Sequence, residues 1–276
     1  MARRVLVLGG SGFVGSYIRD ELARDHDVET TSSTGASATH AFDVLRLDRE
    51  AALLLGDGFD VIVNCIVRRR GSLEDLFAVN VRGTVDVMAV AADLPIHVVQ
   101  VSSILATEAN RHLSDYSLTK FVADEVLVRR SAGAACRLAV LRFGQVFDSA
   151  GRSRDSQPGL HRWATQLRAG EPVDVFAGGT ARRSYIDAGS AARAVRHAIE
   201  HGLTGVHDVV PAVAYAPADL VRWVARLGGH AHAEIRLIND TVPVEYAIPP
   251  CSPAFQSWMA REPDPSHAFA ALVRHG

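Results

Sequence analysis

The 276 residues predict an α/β fold, a doubly wound parallel sheet with a smaller C-terminal α/β lobe. Three observations carry that expectation. Apolar runs of strand length, rich in valine, isoleucine and leucine, alternate with amphipathic segments through the first two-thirds of the chain. The runs are continuous rather than alternating with polar residues, as in strands buried on both faces of a parallel sheet. A glycine-rich turn joins the first run to the first amphipathic segment, as in a β-α unit.

The elements follow in order. RVLVLGG is a buried strand, and in FVGSYIRDELARD the residues Val14, Ile18 and Leu22 recur at helical spacing. HDVETTSS reads as the second strand, REAALLLGDG as a helix and DVIVNCIV as a third strong strand. Residues 73–92 predict one long helix ended before Pro95, and IHVVQVSS is the next strand. A helix is expected over 115–130 and a strand at RLAVLRFG. After residue 147 the texture changes: DSAGRSRDSQPG is a polar loop, and short elements mix with most of the prolines. ARAVRHAIEHG and VHDVVP read as a helix and a strand that return to the sheet, APADLVRWVARLGG as a helix, and YAIPPCSPAF as irregular. The expected division is 1–147 with 184–211 for the first domain, and 148–183 with 212–276 for the second lobe.

Composition removes several classes of function. Net charge is −2 with 22% charged residues, so no basic field invites nucleic acid or an anionic membrane. The twelve histidines are scattered without a metal-ligand spacing, and no metal is expected. Cys65, Cys136 and Cys251 are odd in number and far apart, which implies reduced thiols and a cytoplasmic protein. The apolar run at the start is too short for a signal peptide, and no stretch reaches the roughly 20 residues that span a bilayer.

Four motifs carry chemistry. In VLVLGGSGFVGS, Gly9, Gly12 and Gly15 stand between strand and helix, with Phe13 and Val14 opening the helix. Glycine lets the backbone approach a pyrophosphate, and the helix N-terminus offers N–H groups, so a dinucleotide site of the Rossmann kind is expected. An acidic residue at the end of the second strand would bind the adenosine ribose and repel a 2′-phosphate. The sequence has Thr31, Ser32 and Ser33 there, which favours NADPH. Ser102 and Ser103 end the strand IHVVQVSS, where strand C-termini deliver side chains into the crevice. Tyr116 and Lys120, in YSLTK, return to nearly one face of a helix after about 6 Å. Lys120 is the one lysine in a chain of 29 basic residues. An ammonium about 6 Å from the phenol, at an effective dielectric near 20, favours phenolate by roughly 2.8 kcal/mol, or about two pKa units. Tyr116 is therefore expected as a general acid–base, and arginine would lack lysine's compact three-donor head.

The glycine turn, Ser103, Tyr116 and Lys120, in this order, resemble the extended short-chain dehydrogenase/reductase family over almost the whole chain. The resemblance implies that Asp43 and Val44, in HAFDVLRLD, meet the adenine and that Asn64, Cys65 and Ile66 line the cofactor. NVRGT is similar to the family's Asn-x-x-Gly-Thr, which assigns Asn80 to support of the site. LRFGQVFD is similar to its Leu-Arg-x-x-x-Val-Tyr-Gly, which places Phe143 at the cofactor. ARRSYID is similar to the Arg-x-Tyr-Ile stretch whose arginine, here Arg183, grips the diphosphate of a nucleotide sugar. Family dehydratases carry Asp-Glu after the catalytic hydroxyl residue, where this chain has Ile104 and Leu105, so dehydration is not expected. With no acidic residue after the second strand, the chain looks most like the dTDP-4-dehydrorhamnose reductase type of sugar-nucleotide 4-ketoreductase. The expectation is NADPH-dependent reduction of a 4-keto-6-deoxy sugar on a nucleoside diphosphate, by a homodimer packed through the helices at 73–92 and 115–130. The alternatives are a sugar-nucleotide 4-epimerase with tightly bound NAD and a dinucleotide-sensing regulator without turnover.

Overall fold

The structure is a computed structural model that describes residues 2–35 and 37–275. In chain order its elements are β1 (Arg4–Leu8), α1 (Phe13–Leu22), β2 (Asp27–Ser32), β3 (His40–Ala41), α2 (Arg49–Leu55), β4 (Val61–Asn64), α3 (Leu73–Phe77), a π-helical stretch (Ala78–Gly83), α4 (Thr84–Ala91), β5 (His97–Ser103), α5 (Asp115–Ser131) and β6 (Arg137–Phe143). There follow β7 (Gln145–Phe147), α6 (Pro158–Ala169), β8 (Val173–Phe176), a short 3-10 turn (Ala177–Gly179), β9 (Tyr185–Asp187), α7 (Ala188–Glu200), β10 (Gly205–Val209), α8 (Pro217–Leu227), β11 (Ile235–Ile238), α9 (Pro253–Met259) and α10 (Pro265–His275).

The chain divides into two units, one of residues 1–143 and 191–209, the other of 144–190 and 210–276. The first holds a seven-stranded sheet in the order β10-β6-β5-β4-β1-β2-β3, all neighbours parallel. The doubly wound parallel sheet expected from the sequence is therefore present. Every residue of β4, and all but the first of β1, is buried, as continuous apolar runs require. Register places Leu8 beside Asn64, Asn64 beside Gln100 and Ser103 beside Phe143, so the C-terminal strand ends share one edge. One face is closed by a core that includes Leu6, Leu8, Ile62, Val87, Met88, Leu127 and Val140. Helix starts are fixed by side-chain caps: Asp48 accepts from the Ala51 N–H, Ser72 from Asp75 and Ser114 from Ser117.

The second unit holds two small parallel pairs, β11-β8 and β7-β9, and a core in which Phe147 stacks on Phe269 at 3.8 Å. Residues 184–190 lie in this unit, where β9 pairs with β7, and the return to the large sheet runs through 191–209.

Three elements differ from the sequence reading. The helix over 73–92 widens into π-helix at Ala78–Gly83, which periodicity of apolar residues does not reveal. DVIVNCIV pairs only as far as Asn64. The stretch YAIPPCSPAF is irregular only up to Ser252, because Pro253 starts α9 with its fixed φ. Among the described residues no helix is long and apolar enough to cross a membrane.

Candidate active site

The turn after β1 is tightly constrained. Gly9 has φ of +77°, a left-handed conformation that favours glycine, and its N–H donates to the Thr31 hydroxyl at 3.1 Å. A methyl group on Gly15 would lie 2.2 Å from the Gly9 carbonyl oxygen, so α1 can begin where it does only because Gly15 has no side chain. Gly12 is the exposed residue before α1, and no acidic residue stands in that helix's first turn, which leaves an N-terminus suited to an anion. Phe13 and Val14 are half-buried behind it.

The neighbouring strand ends meet this turn. A methyl on Gly9 would touch Ile66 Cγ1 at 3.2 Å, so Gly9 and the segment Cys65–Ile66 are adjacent. Asn64 is buried; its side chain accepts from the Ile66 N–H at 3.1 Å and donates to Gln100 at 2.9 Å. Burial pushes the Cys65 thiol up to about 12, so it stays protonated. At the end of β2 the expected row of hydroxyls divides. Thr31 is buried and spent on Gly9, whereas Ser32 is half-buried and Ser33 exposed. Asp43 accepts from the Leu45 N–H at 3.0 Å, and Val44 is buried where a methyl on Gly83 would strike it at 2.6 Å. Phe143 is buried, and its carbonyl accepts from the Ile104 N–H at 2.9 Å.

Ser103 and Tyr116 are brought together: the Ser103 hydroxyl stands near enough to the phenol to favour its ionised form, and Ser103 Oγ accepts from the Leu105 N–H at 3.2 Å. Lys120 is 2% exposed and donates from Nζ to the Val101 carbonyl at 3.1 Å. The electrostatics differ from the sequence expectation. Burial raises the Tyr116 phenol above its ordinary value; the cation that counteracts this is Arg69, and Asp124 adds to the rise. Lys120 instead faces Asp124 and Cys65, and burial lowers its own affinity for a proton. A lysine four residues on shares a helix face with the tyrosine, but its long stem turns toward β5.

Asn80, on the π-helical stretch, grips one residue from both sides. Its Oδ1 accepts from the Arg68 N–H and its Nδ2 donates to the Arg68 carbonyl, both at 2.8 Å. Nδ2 also donates to Thr119 Oγ1 at 3.1 Å, and Thr119 donates to the Tyr116 carbonyl at 3.0 Å. The loop that carries Arg69 is thus tied to the turn of α5 that carries Tyr116.

Arg183 lies in the second unit. Its backbone forms a bridge with Tyr215, and its guanidinium donates to the Arg182 carbonyl at 3.0 Å and the Val244 carbonyl at 2.8 Å, over the Tyr246 ring at 4.7 Å. Two of a guanidinium's five donors are used in these bonds.

Sequence reasoning did not single out Asp124, Arg142 or Arg69. Asp124 was findable, since it stands one further helical turn after Lys120. Arg69 was not, because in sequence nothing distinguishes it from its neighbours Arg68 and Arg70; only the folded loop sets its charge against Tyr116.

The model of the NAD dependent epimerase/dehydratase family matches residues 5–210. A search of curated proteins finds no match. Among solved structures, a UDP-N-acetylglucosamine 4-epimerase from Methanobrevibacter ruminantium is similar with TM-score 0.81 and 17% identity, over 99% of this chain and 97% of that one. A UDP-glucuronic acid 4-epimerase from Bacillus cereus, in complex with UDP-glucuronic acid and NAD, gives 0.79 and 17%, over 98% of each chain. The UDP-glucose 4-epimerase of Thermus thermophilus, in complex with NAD, gives 0.75 and 21%, over 99% and 98%.

Proposed function

The chain belongs to the NAD dependent epimerase/dehydratase family, and from that premise we propose that it is a sugar-nucleotide 4-epimerase that retains a nicotinamide dinucleotide. The observation that carries the reading is the adjacent pair Tyr116 and Ser103 at the strand-end edge of the sheet, with the buried Lys120 one helical turn on. The similar structures support it, since those named above are 4-epimerases of UDP-sugars and two are described with NAD.

The residues present fit a dinucleotide. The turn at Gly9–Gly15 is a cradle that a Cβ would fill, and it opens on a helix N-terminus without acidic side chains. Gly9, Gly12, Phe13, Val14 and Gly15 would hold the pyrophosphate, Ser32, Ser33, Asp43 and Val44 the adenosine, and Asn64–Ile66, Asn80, Phe143 and Lys120 the remainder. When bound, the nicotinamide supplies hydride acceptance from the sugar carbon and return to it. Tyr116 takes the proton of the 4-hydroxyl and gives it back, and Ser103 hydrogen-bonds the same oxygen. Lys120 holds the ribose, and Arg183 is assigned to the diphosphate, for which a bidentate guanidinium is suited. Buried Ile104 and half-buried Leu105 offer neither acid nor base, so elimination of water has no proton donor there.

Two observations favour a second reading, net reduction of a 4-keto sugar by NADPH. The end of β2 carries hydroxyls and no carboxylate, and the phenol of Tyr116 is held protonated at rest, the form that donates to a forming alkoxide. Either reading carries a homodimer packed through the helices at 73–92 and 115–130.

The test is to denature the purified protein, identify any released dinucleotide, and incubate the native protein with UDP- and dTDP-sugars. Released NAD and interconverted 4-epimers without added cofactor support the epimerase. Consumption of NADPH with a 4-keto-6-deoxy sugar overturns it in favour of the reductase, and neither outcome defeats both.

A further inference from the structure

The ammonium of Lys120 is buried, and the hydrogen bond that holds it goes to an uncharged carbonyl, Val101 O. A cation so placed loses its hydration and stays charged only if a countercharge stands near. Four residues on, on the same face of α5, Asp124 is 0% exposed. Its two oxygens accept from the Ser102 hydroxyl at 2.8 and 2.9 Å, and Oδ2 also accepts from Arg142 Nε at 2.8 Å. Two adjacent strands, β5 and β6, therefore brace a helix carboxylate from beneath.

We propose that Asp124 is a positioning residue: its carboxylate, fixed by Ser102 and Arg142, is the counter-ion that keeps the Lys120 ammonium charged and anchored at Val101. The inference rests on the role given to Lys120 above. It accounts for a buried carboxylate, hydroxyl and guanidinium that the proposed chemistry does not use.

The charges around the pair are few. Lys120 is faced by Cys65, following β4, whose thiol stays protonated, and by Asp124. Asp124 is faced by Ser102 of β5 and Arg142 of β6, with Tyr116 two turns back on α5. Asp208 of β10 is the second carboxylate near Arg142, and its own burial and Asp124 push it toward the neutral form. Burial drives Lys120 and Asp124 both toward neutrality, and each draws the other back toward its charged form. Loss of the Asp124 charge must therefore lower the pH at which Lys120 releases its proton.

With one lysine in the chain, the measurement needs no substrate. Protein labelled with [ε-13C]lysine gives one side-chain resonance, whose pH midpoint is read by NMR in the whole chain. Asp124→Asn should lower the midpoint by about one to three pH units, and Asp124→Glu should restore it. Asp124→Asn leaves Arg142 without its carboxylate and can unfold the first unit; Asp124→Asn with Arg142→Gln removes both charges and should show a smaller fall of the same sign, since the guanidinium that goes with the carboxylate opposes it. A wild-type midpoint in either folded variant overturns the proposal. Where turnover is found, its alkaline limb should move with the lysine midpoint while KM for the sugar stays constant. A wild-type protein that neither epimerises nor reduces any sugar defeats the proposed function, and the lysine titration still decides the counter-ion.

Discussion

Replacing Gly15 by alanine tests the glycine turn most directly. The new methyl would lie 2.2 Å from the Gly9 carbonyl oxygen, 2.9 Å from the Gly9 carbonyl carbon and 3.0 Å from Gly10 Cα. All three neighbours are backbone, so no side chain can swing aside, and the turn must open by roughly 0.8–1 Å to bring the closest contact to 3.0 Å or more. That movement strains the Gly9 N–H bond to Thr31 and the Gly12 N–H bond to the Gly9 carbonyl, 3.1 and 3.0 Å long. Overpacking of this kind costs about 3 kcal/mol, which lowers Tm by roughly 6–12 °C in a unit of this size. Gly12→Ala is the control. Its methyl would meet only the Gly9 carbonyl oxygen, at 3.2 Å, and its φ of −73° and ψ of 171° suit any residue. Its cost should stay below about 1 kcal/mol. Thermal unfolding of both variants, with fluorescence titration by NADH and NADPH, reads the two effects separately. The expected result is a large loss of Tm and at least a tenfold loss of affinity for Gly15→Ala, and weakened affinity at nearly unchanged Tm for Gly12→Ala. Equal Tm losses in the two variants, or wild-type affinity in Gly15→Ala, would refute the cradle.

Tyr116→Phe should lower turnover by about 10²–10⁴-fold with dinucleotide affinity almost unchanged; a binding assay showing lost affinity contradicts its role. Lys120→Arg keeps the charge but brings a planar fork into a space built for one ammonium, and should lose dinucleotide affinity and Tm together in the same two assays. Asn80→Ala strands the Arg68 N–H and carbonyl, which should destabilise by about 2 kcal/mol and lower turnover through the loop of Arg69; unchanged kcat would show that the grip is structural only. His97 is buried, and burial lowers its pKa from 6.5 to about 4. The unfolded chain therefore takes up a proton below pH 6.5 that the folded chain refuses until about 4, so stability falls as pH drops through that window, by on the order of 3 kcal/mol. In His97→Gln, Tm measured from pH 7 to 4 should lose that part of its slope.

What was legible in the sequence follows from which physics is local. β1, β4, β5 and β6 declare themselves because a strand buried on both faces must be apolar at every position. The glycine turn and the Tyr116–Ser103 pair are legible because each joins a residue type to a fixed place in a β-α unit. The π-helical stretch at Ala78–Gly83 is not legible, because one extra residue per turn leaves the apolar pattern nearly intact. It matters nonetheless, since it carries both Asn80 with its grip on Arg68 and Gly83 with its close approach to Val44. β3, β7, β8, β9 and β11 are two to four residues long, too short for any period to show. The row Thr31, Ser32, Ser33 shows a different limit. Three adjacent hydroxyls look equivalent in sequence, yet strand alternation turns Thr31 inward onto Gly9.

The electrostatics of Tyr116 bear on the choice between the two chemistries. Spacing alone made Lys120 the cation of the phenol, but the structure pairs that lysine with Asp124 and leaves Arg69 as the opposing charge. A phenol raised by burial, with a carboxylate adding to the rise, is a poor base in the resting protein and a competent acid. Reduction of a ketone needs only the acid. Epimerisation begins by removing a proton from a hydroxyl, so it is favoured by further positive charge beside the phenol. Oxidised nicotinamide carries a positive charge and the reduced form does not. A dinucleotide retained in its oxidised form would lower the phenol's pKa and make Tyr116 a base only in the complex ready to accept hydride. The same buried tyrosine can thus serve either direction, with the redox state of the cofactor setting which proton transfer it performs.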